Sequence, residues 1–121
     1  MMMLSLAMML ASAAQDEGPL PRPARAVNGG RDWVYISDYP AAALNERRAG
    51  ITTVSLRVSN RGEVEECAVS ISSGSPDLDH VACMAVLSRG RYEPARNAQG
   101  RRIASEVLHQ IVWDPRTIPS G

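Results

Sequence analysis

The chain has 121 residues, which suits one domain with short tails. Its 13 Lys and Arg balance its 13 Asp and Glu, so no net field favours nucleic acid or an acidic surface. Phenylalanine is absent and aromatic residues make up 4% of the chain, which predicts a modest, aliphatic core. A core of this size gains from a covalent link.

The first 14 residues are apolar and are typical of a secretory signal peptide. Residues 4–10 form a short hydrophobic run without a preceding Lys or Arg, and small residues follow at 11–14. The alternative is a disordered start or a misassigned initiation codon. The run is too short for a comfortable transmembrane helix. We predict export to the periplasm with cleavage near Ala14, or an inner-membrane anchor if the segment stays uncleaved.

Residues 15–32 contain three prolines and end near a Gly-Gly pair, which predicts a disordered or extended linker. Residues 33–36 are β-prone and predict either a lead-in strand or an arm packed on the sheet. A helix should then open at Asp38-Tyr39-Pro40, continue through the Ala-rich residues and end at Gly50. Arg47 and Arg48 would lie in its last turn.

Two alternating segments, residues 51–59 and 63–72, predict a β-hairpin with one covered face and one wet face. The turn between them uses Gly62 for its positive φ. The first strand should cover one face with Thr52, Val54, Leu56 and Val58, and the second with Cys67, Val69 and Ile71.

A second helix is predicted from Pro76 to residue 89. Ser75 should accept backbone N–H bonds as the N-cap, and Pro76 suits the first helical position. A turn at Gly74 would precede this helix, and Gly90 is placed to end it as a C′ glycine.

A bend at residues 92–95 and a turn at 97–100 lead to a last strand over residues 102–113. The second helix returns the chain, so the last strand can lie antiparallel to the first. We therefore predict an α+β fold with two helices on one face of a three-stranded antiparallel sheet. Its strand order would be second, first, last, which leaves the last strand at an open edge. The domain would cover residues 33–113, with a tail at 114–121.

The two cysteines, Cys67 and Cys83, fall on the covered face of a strand and on the helix that packs there. They are either two buried thiols or a disulfide. Export permits the bridge, so we predict a disulfide. A metal site would need more ligands than these cysteines and the distant His80 and His109.

No pattern in the chain indicates an enzyme. Asp77, Asp79 and His80 cluster in the first turns of a helix, where capping and surface charge explain them better than an acid–base site. His109 is expected in the core or at its boundary. The chain has no nucleophile elbow, phosphate loop or basic run with aromatics, so we predict no cofactor, nucleic acid or small-molecule substrate.

Residues 33–113 contain an ordered set of short motifs. They are Asp38-Tyr39-Pro40 with the Ala-rich helix, Gly50 with the alternating strand, Asn60-Arg61-Gly62-Glu63-Val64, Ser72-Ser73-Gly74-Ser75-Pro76 with Leu78-Asp79 and Ala82, Tyr92-Glu93-Pro94-Ala95, and Gly100 before the final strand. Together they resemble the C-terminal domain of the energy transducer TonB. The paired cysteines are similar to those of a subset of that family in which strand and helix are bridged.

The resemblance implies the fold predicted above and a partner. Such domains bind the TonB-box peptides of outer-membrane receptors beside the last strand, in TonB-dependent transport across the outer membrane. The short linker departs from a full transducer, so coupling through ExbB and ExbD is not implied. The alternative is a structural envelope module that uses the edge for a homodimer or another partner. The implied contact residues are Arg102, Ile103, Ala104, Ser105, Glu106, Val107, Leu108, His109, Gln110, Ile111 and Val112.

Overall fold

The computed structural model describes residues 19–121, so the predicted signal peptide lies outside the described residues. None of the helices within residues 19–121 has the length and apolar character needed to cross a membrane. The α-helices are α1 (Ala41–Asn45) and α2 (Pro76–Arg89), and short 3-10 helices lie at Val27–Gly30 and Ile36–Asp38. The strands are β1 (Arg25–Ala26), β2 (Gly50–Val58), β3 (Val64–Ile71), β4 (Tyr92–Glu93), β5 (Ala95–Arg96), β6 (Arg102–Ile103) and β7 (Ser105–Trp113).

The main sheet has three antiparallel strands in the order β3-β2-β7, with β2 in the centre and β7 at an edge. The predicted α+β fold and the predicted strand order are therefore confirmed. Val54 illustrates the register, since it lies opposite Val69 on β3 and His109 on β7. Short pairs, β1 with β4 and β5 with β6, lie outside this sheet.

One face of the sheet is covered, as the alternation on β2 predicts. Its four inward residues, Thr52, Val54, Leu56 and Val58, are fully buried. They pack with the apolar side of α2, which buries Leu78, Ala82, Ala85 and Val86. The expectation of a purely aliphatic core is wrong, because Trp33, Tyr39, Tyr92 and Trp113 are also buried. Although aromatic residues are few, most of them are core residues.

The register of β3 contains an irregularity near its end. Cys67 lies opposite Leu56 and Val69 opposite Val54, but Ile71 lies opposite Thr53 rather than Thr52. A bulged residue breaks the alternation of side chains along a strand. The predicted grouping of Ile71 with Cys67 and Val69 is therefore wrong, and the Ile71 side chain is 63% exposed.

Helix α1 is shorter than predicted. It ends at Asn45, and Arg47 follows with a φ of 53°, a left-handed conformation that stops the helix. Gly50 is already the first residue of β2, so it does not end the helix. Arg48 instead forms a bidentate ion pair with Asp77 at the start of α2, at 2.8 and 2.9 Å.

The ends of α2 depart from the expected caps. Pro76 opens the helix as predicted, but the Ser75 side chain makes no capping hydrogen bond. Gly90 ends the helix in an extended conformation, with a φ of −62°, and not as a left-handed C′ residue. The site favours glycine for lack of space, since a Cβ there would lie 2.5 Å from the carbonyl oxygen of Val86.

Gly62 has the predicted positive φ, 82°, and the turn residue Gly74 also has a positive φ, 93°. Gly62 carries a second constraint, because a Cβ there would lie 1.8 Å from the carbonyl oxygen of Tyr92. The backbone N–H of Tyr92 donates to the carbonyl of Gly62 at 2.8 Å. The hairpin turn is thereby joined to the chain that leaves α2.

Part of the predicted linker is docked on the domain. Residues 25–26 pair with residues 92–93, and Arg22 exchanges backbone hydrogen bonds with Arg96 at 2.9 and 3.0 Å. Residues 33–36 form no strand; Trp33 and Val34 are buried, so the second alternative, a packed arm, is the one observed. The backbone bonds of β1 are made to β4 and not to the main sheet.

Cys67 and Cys83 form a disulfide that joins β3 to α2, which confirms the predicted bridge. Their Cα atoms are 5.6 Å apart, within the usual range for a disulfide. The two residues are 16 positions apart in the chain. The bridge therefore closes the segment that connects the second hairpin strand to the helix covering it.

Candidate functional site

The outer edge of β7 is the strand edge that the sequence predicts to be open. On its inner side β7 pairs with β2 along all nine residues, from Ser105 opposite Val58 to Trp113 opposite Gly50. Within residues 19–121, no backbone hydrogen bond links β7 to any other strand or segment. Since a strand presents half of its N–H and C=O groups to each side, the outer row is open to a further strand.

The predicted contact residues do not all lie on this edge. Arg102 and Ile103 form β6, which pairs with Ala95–Arg96 of β5, and Ala104 lies between β6 and β7. The expected single strand over residues 102–113 is therefore wrong, because β5 pairs with its first residues. Residues 105–112 remain together on β7.

Side chains alternate along β7. His109 is partly buried and Ile111 is buried on the covered side, while Leu108 and Val112 are 69% and 56% exposed on the open side. Glu106 is exposed, and its carboxylate oxygen Oε1 lies 4.0 Å from Nη1 of Arg57, its cross-strand partner. Glu106, Leu108 and Gln110 are all exposed on the open side.

A groove of about 460 Å³ lies beside the second half of β7. Residues 109–112 of β7 form one part of its lining, and residues 29–32 with Val34 form another. The third part is residues 117–119. A hydrogen bond of 2.8 Å from the Ile36 N–H to the Pro119 carbonyl oxygen holds this segment in place. The open edge of β7 therefore has a groove beside it, with walls from two other segments of the chain.

One wall of the groove depends on Gly30. This residue has a φ of 80°, and a Cβ there would lie 2.7 Å from the His109 imidazole. The same Cβ would lie 3.1 Å from the Trp33 ring, whose centroid is 4.8 Å from that of His109 and 5.5 Å from that of Tyr92. Burial lowers the pKa of His109, which keeps the imidazole neutral near neutral pH. His109 is therefore a packing residue of the groove.

Arg89, at the end of α2, holds this wall to the domain. Its guanidinium donates to both carboxylate oxygens of Asp38, at 2.8 and 2.9 Å, and to the Trp33 carbonyl at 2.6 Å. The Arg89 hydrogen bonds hold the pKa of Asp38 below its usual value, despite partial desolvation. Asp38 also accepts from the backbone N–H of Tyr35 at 2.8 Å.

The far end of β7 is fixed by a buried polar network. The Trp113 indole N–H donates to the Thr52 hydroxyl at 3.0 Å, and that hydroxyl donates to Asp79 at 2.9 Å. Asp79 also accepts from Ser72 and from the backbone N–H and hydroxyl of Ser73. Burial alone would raise the pKa of Asp79, but these donors outweigh it and lower the pKa. The expectation that Asp79 is surface charge is therefore wrong.

The remaining candidates for chemistry are dispersed. His80 is exposed on α2, and Asp77 pairs with Arg48. No three His, Cys, Asp or Glu residues come together as a candidate metal site anywhere in residues 19–121. The two histidines lie on different elements, α2 and β7.

Sequence reasoning missed the two outer walls of the groove. The sequence predicts residues 29–32 as part of the linker and residues 117–119 as part of the tail. Two sequence features indicate that these segments pack on the domain. The apolar pair Trp33-Val34 favours a packed arm, and Ile118 is an isolated apolar residue in a polar tail. Ile118 packs against the core, which explains why the tail turns back toward the domain.

Residues 37–115 match the sequence model of one family, described as the C-terminal of the Gram-negative bacterial TonB protein. The matched range contains both α-helices, the disulfide and the whole of β7. It leaves out the groove walls at residues 29–34 and 117–119. A comparison with curated proteins gave no match.

Proposed function

The chain belongs to the family of Gram-negative TonB C-terminal domains, and we propose that it captures TonB-box peptides of outer-membrane receptors by strand addition to β7. This family acts in energy transduction through protein interactions, in TonB-dependent transport across the cell envelope. Catalysis is not part of that role. The proposal is therefore a protein-binding module whose ligand is an extended peptide.

The single observation that supports this function is the outer edge of β7, which has no backbone partner within residues 19–121. A peptide that pairs there gains main-chain hydrogen bonds along a nine-residue strand. Those bonds demand little of the peptide sequence, so one edge can serve receptors with different side chains. The central position of β2 and the network at Trp113 hold that edge in place.

The location proposed for this module is the periplasm. The family places the chain in the envelope of a Gram-negative cell. Residues 1–14 have the composition of an export signal, and cleavage near Ala14 would release the domain from the membrane. The intact mass of the protein recovered from periplasmic extract tests this; a mass that includes Met1 contradicts cleavage.

A backbone-methylation scan tests strand addition without altering the protein. The probe is a peptide of about nine residues that carries a receptor TonB box, matching the length of β7. Each peptide amide is N-methylated in turn, which removes one N–H donor and keeps every side chain. Because alternate amides of an added strand face β7, affinity should fall at every second position and change little between them.

A scan without this period of two contradicts strand addition. The protein-side control is Leu108→Pro, which places proline on the edge strand, compared with Leu108→Ala, which keeps the backbone N–H. Both variants must show the thermal unfolding of a folded domain before binding is compared. Loss of binding in both to the same extent assigns the effect to the side chain and not to the edge.

The exposed apolar side chains on the open face of the sheet favour a second candidate. Leu108 and Val112 of β7 are exposed, and Ile51, opposite Val112, is 45% exposed. Two copies that pair through β7 would make a structural envelope module without energy coupling. Light scattering coupled to size exclusion decides between the two: a dimer that peptide does not dissociate favours this second candidate.

A further inference from the structure

A strand added to β7 must continue the pleat of the sheet. Alternate side chains of that strand then point toward the covered face, on the same side as His109 and Ile111. The others lie on the open face, beside Leu108 and Gln110, which are exposed. The groove runs along the edge at residues 109–112 and extends to the covered side, where its lining includes Val34 and Ile118, which pack with the core. A captured peptide therefore directs every second side chain of this stretch toward the groove.

The lining of the groove is chemically suited to an apolar group. Val34, Ile111, Ile118 and Pro119 supply apolar surface, and Gly30 contributes a wall without a side chain. The volume of about 460 Å³ lies within the range of small-molecule pockets, which leaves room for a large side chain and its flanking backbone.

The charges at the rim do not favour a charged ligand. Arg31 and Asp32 line the groove with opposite signs, so they give no net field across it. Both side chains form hydrogen bonds with Asn28. The Asn28 side-chain amide donates to the Asp32 carboxylate at 2.9 Å, and the Asn28 backbone carbonyl accepts from the Arg31 guanidinium at 3.1 Å. A charged side chain would lose its hydration in the groove without a dedicated partner.

We propose that this groove is a side-chain subsite that selects one large apolar residue of the captured peptide. The inference rests on the proposed strand addition, and it assigns specificity to segments outside the matched family range. The edge of β7 supplies affinity through backbone bonds, and the groove sets which register and which peptide sequence bind best. Peptide residues on the open face are tolerated broadly.

The experiment is a side-chain scan of the peptide used for the methylation scan, with Leu, Ala and Asp placed in turn at each position. Affinities are measured by isothermal titration calorimetry on the full mature chain. At one position of the covered-side set, Leu should bind about tenfold more tightly than Ala, with Asp weaker still. The positions on either side of it should show a much smaller difference between Leu and Ala.

Two protein variants connect that preference to the groove. Thr117→Trp fills the groove from an exposed position and should abolish the advantage of Leu over Ala, with little effect on the Ala peptide. The matched control, Ser70→Trp, adds the same ring at an exposed position on β3, away from β7, and should leave the preference intact. Ile118→Ala widens the groove and should also reduce the advantage of Leu, which keeps the test decisive if Thr117→Trp does not fold.

The outcomes separate this inference from the function on which it rests. A methylation scan with a period of two and a flat side-chain scan overturn the subsite and leave strand addition standing. Retention of the Leu preference in both Thr117→Trp and Ile118→Ala also overturns the subsite. A methylation scan without periodicity removes strand addition itself, and the subsite with it.

Discussion

A single carboxylate, Asp79, joins three parts of the domain. It accepts hydrogen bonds from β2 through Thr52 and from the loop before α2 through Ser72 and Ser73. Thr52 in turn accepts from the indole of Trp113, at the end of β7. Because buried charges are stable only when their hydrogen bonds are made, this network fixes the end of the edge strand relative to the helix.

Asp79→Asn should lower the free energy of unfolding by about 1–3 kcal/mol, the usual range when a buried hydrogen-bonding group loses its partners. The amide can keep its oxygen at the position of Oδ1, which accepts from Thr52 and Ser73, but it then places an NH₂ group where the Ser72 hydroxyl donates. Urea unfolding measures the change. Asp77→Asn is the control, since Asp77 is more exposed and its loss should cost less.

The effect of Asp79→Asn should depend on pH. The pKa of Asp79 is lowered from its ordinary value of 3.8, so as pH falls the unfolded chain takes up the proton before the folded domain does. The stabilisation by the carboxylate is complete above about pH 4 and is lost as pH falls through the lower, folded-state pKa. The difference between wild type and variant should therefore shrink in acid; a difference that stays constant from neutral pH to pH 2 contradicts the assigned role.

At the scale of elements, the disulfide ties β3 to α2 on the side of the sheet away from β7. β3 is the other edge of the sheet, and Ile71 and Val69 near its end are exposed. The strand therefore buries less apolar surface than β2 does. The covalent link compensates for this by restricting the unfolded chain.

Replacement of both cysteines by alanine should lower the free energy of unfolding by about 3 kcal/mol, from the chain-entropy estimate for a separation of 16 residues. Chemical denaturation at equilibrium gives the value, with reduced wild type as a second measure of the same loss. Peptide affinity of the folded variant should match that of wild type, because β7 lies on the opposite side of β2. An unchanged denaturation midpoint would show that β3 is held without the bridge.

For the whole molecule, the sequence is sufficient to predict those parts of the fold that depend on local patterns. The alternation of residues 51–58 predicted the buried face of β2, and the Pro76 start and the return by α2 predicted the strand order. The disulfide is predicted because the two cysteines fall on a strand and on the helix that covers it, and because export permits oxidation. These features depend on periodicity and on short connections, which can be recognised from residues that are neighbours in the sequence.

The groove wall at residues 29–34 and the buried network at the end of β7 are not predictable in this way, because residues distant in the sequence hold them. Arg89 binds Asp38 across 51 positions of the chain, and Asp79 binds Thr52 across 27. From the sequence alone, a carboxylate near the start of a helix is interpreted as surface charge, because its hydrogen-bond donors elsewhere in the chain are not evident. The split between β6 and β7 likewise depends on β5, which no period within residues 102–113 indicates.

The most direct test of the account is nuclear magnetic resonance of the isotope-labelled domain with the receptor peptide. Strand addition predicts cross-strand nuclear Overhauser effects between peptide protons and the backbone of residues 105–113, and slowed exchange of alternate amides of β7. Contacts confined to α2 or to the outer edge of β3, with unchanged exchange along β7, would contradict it.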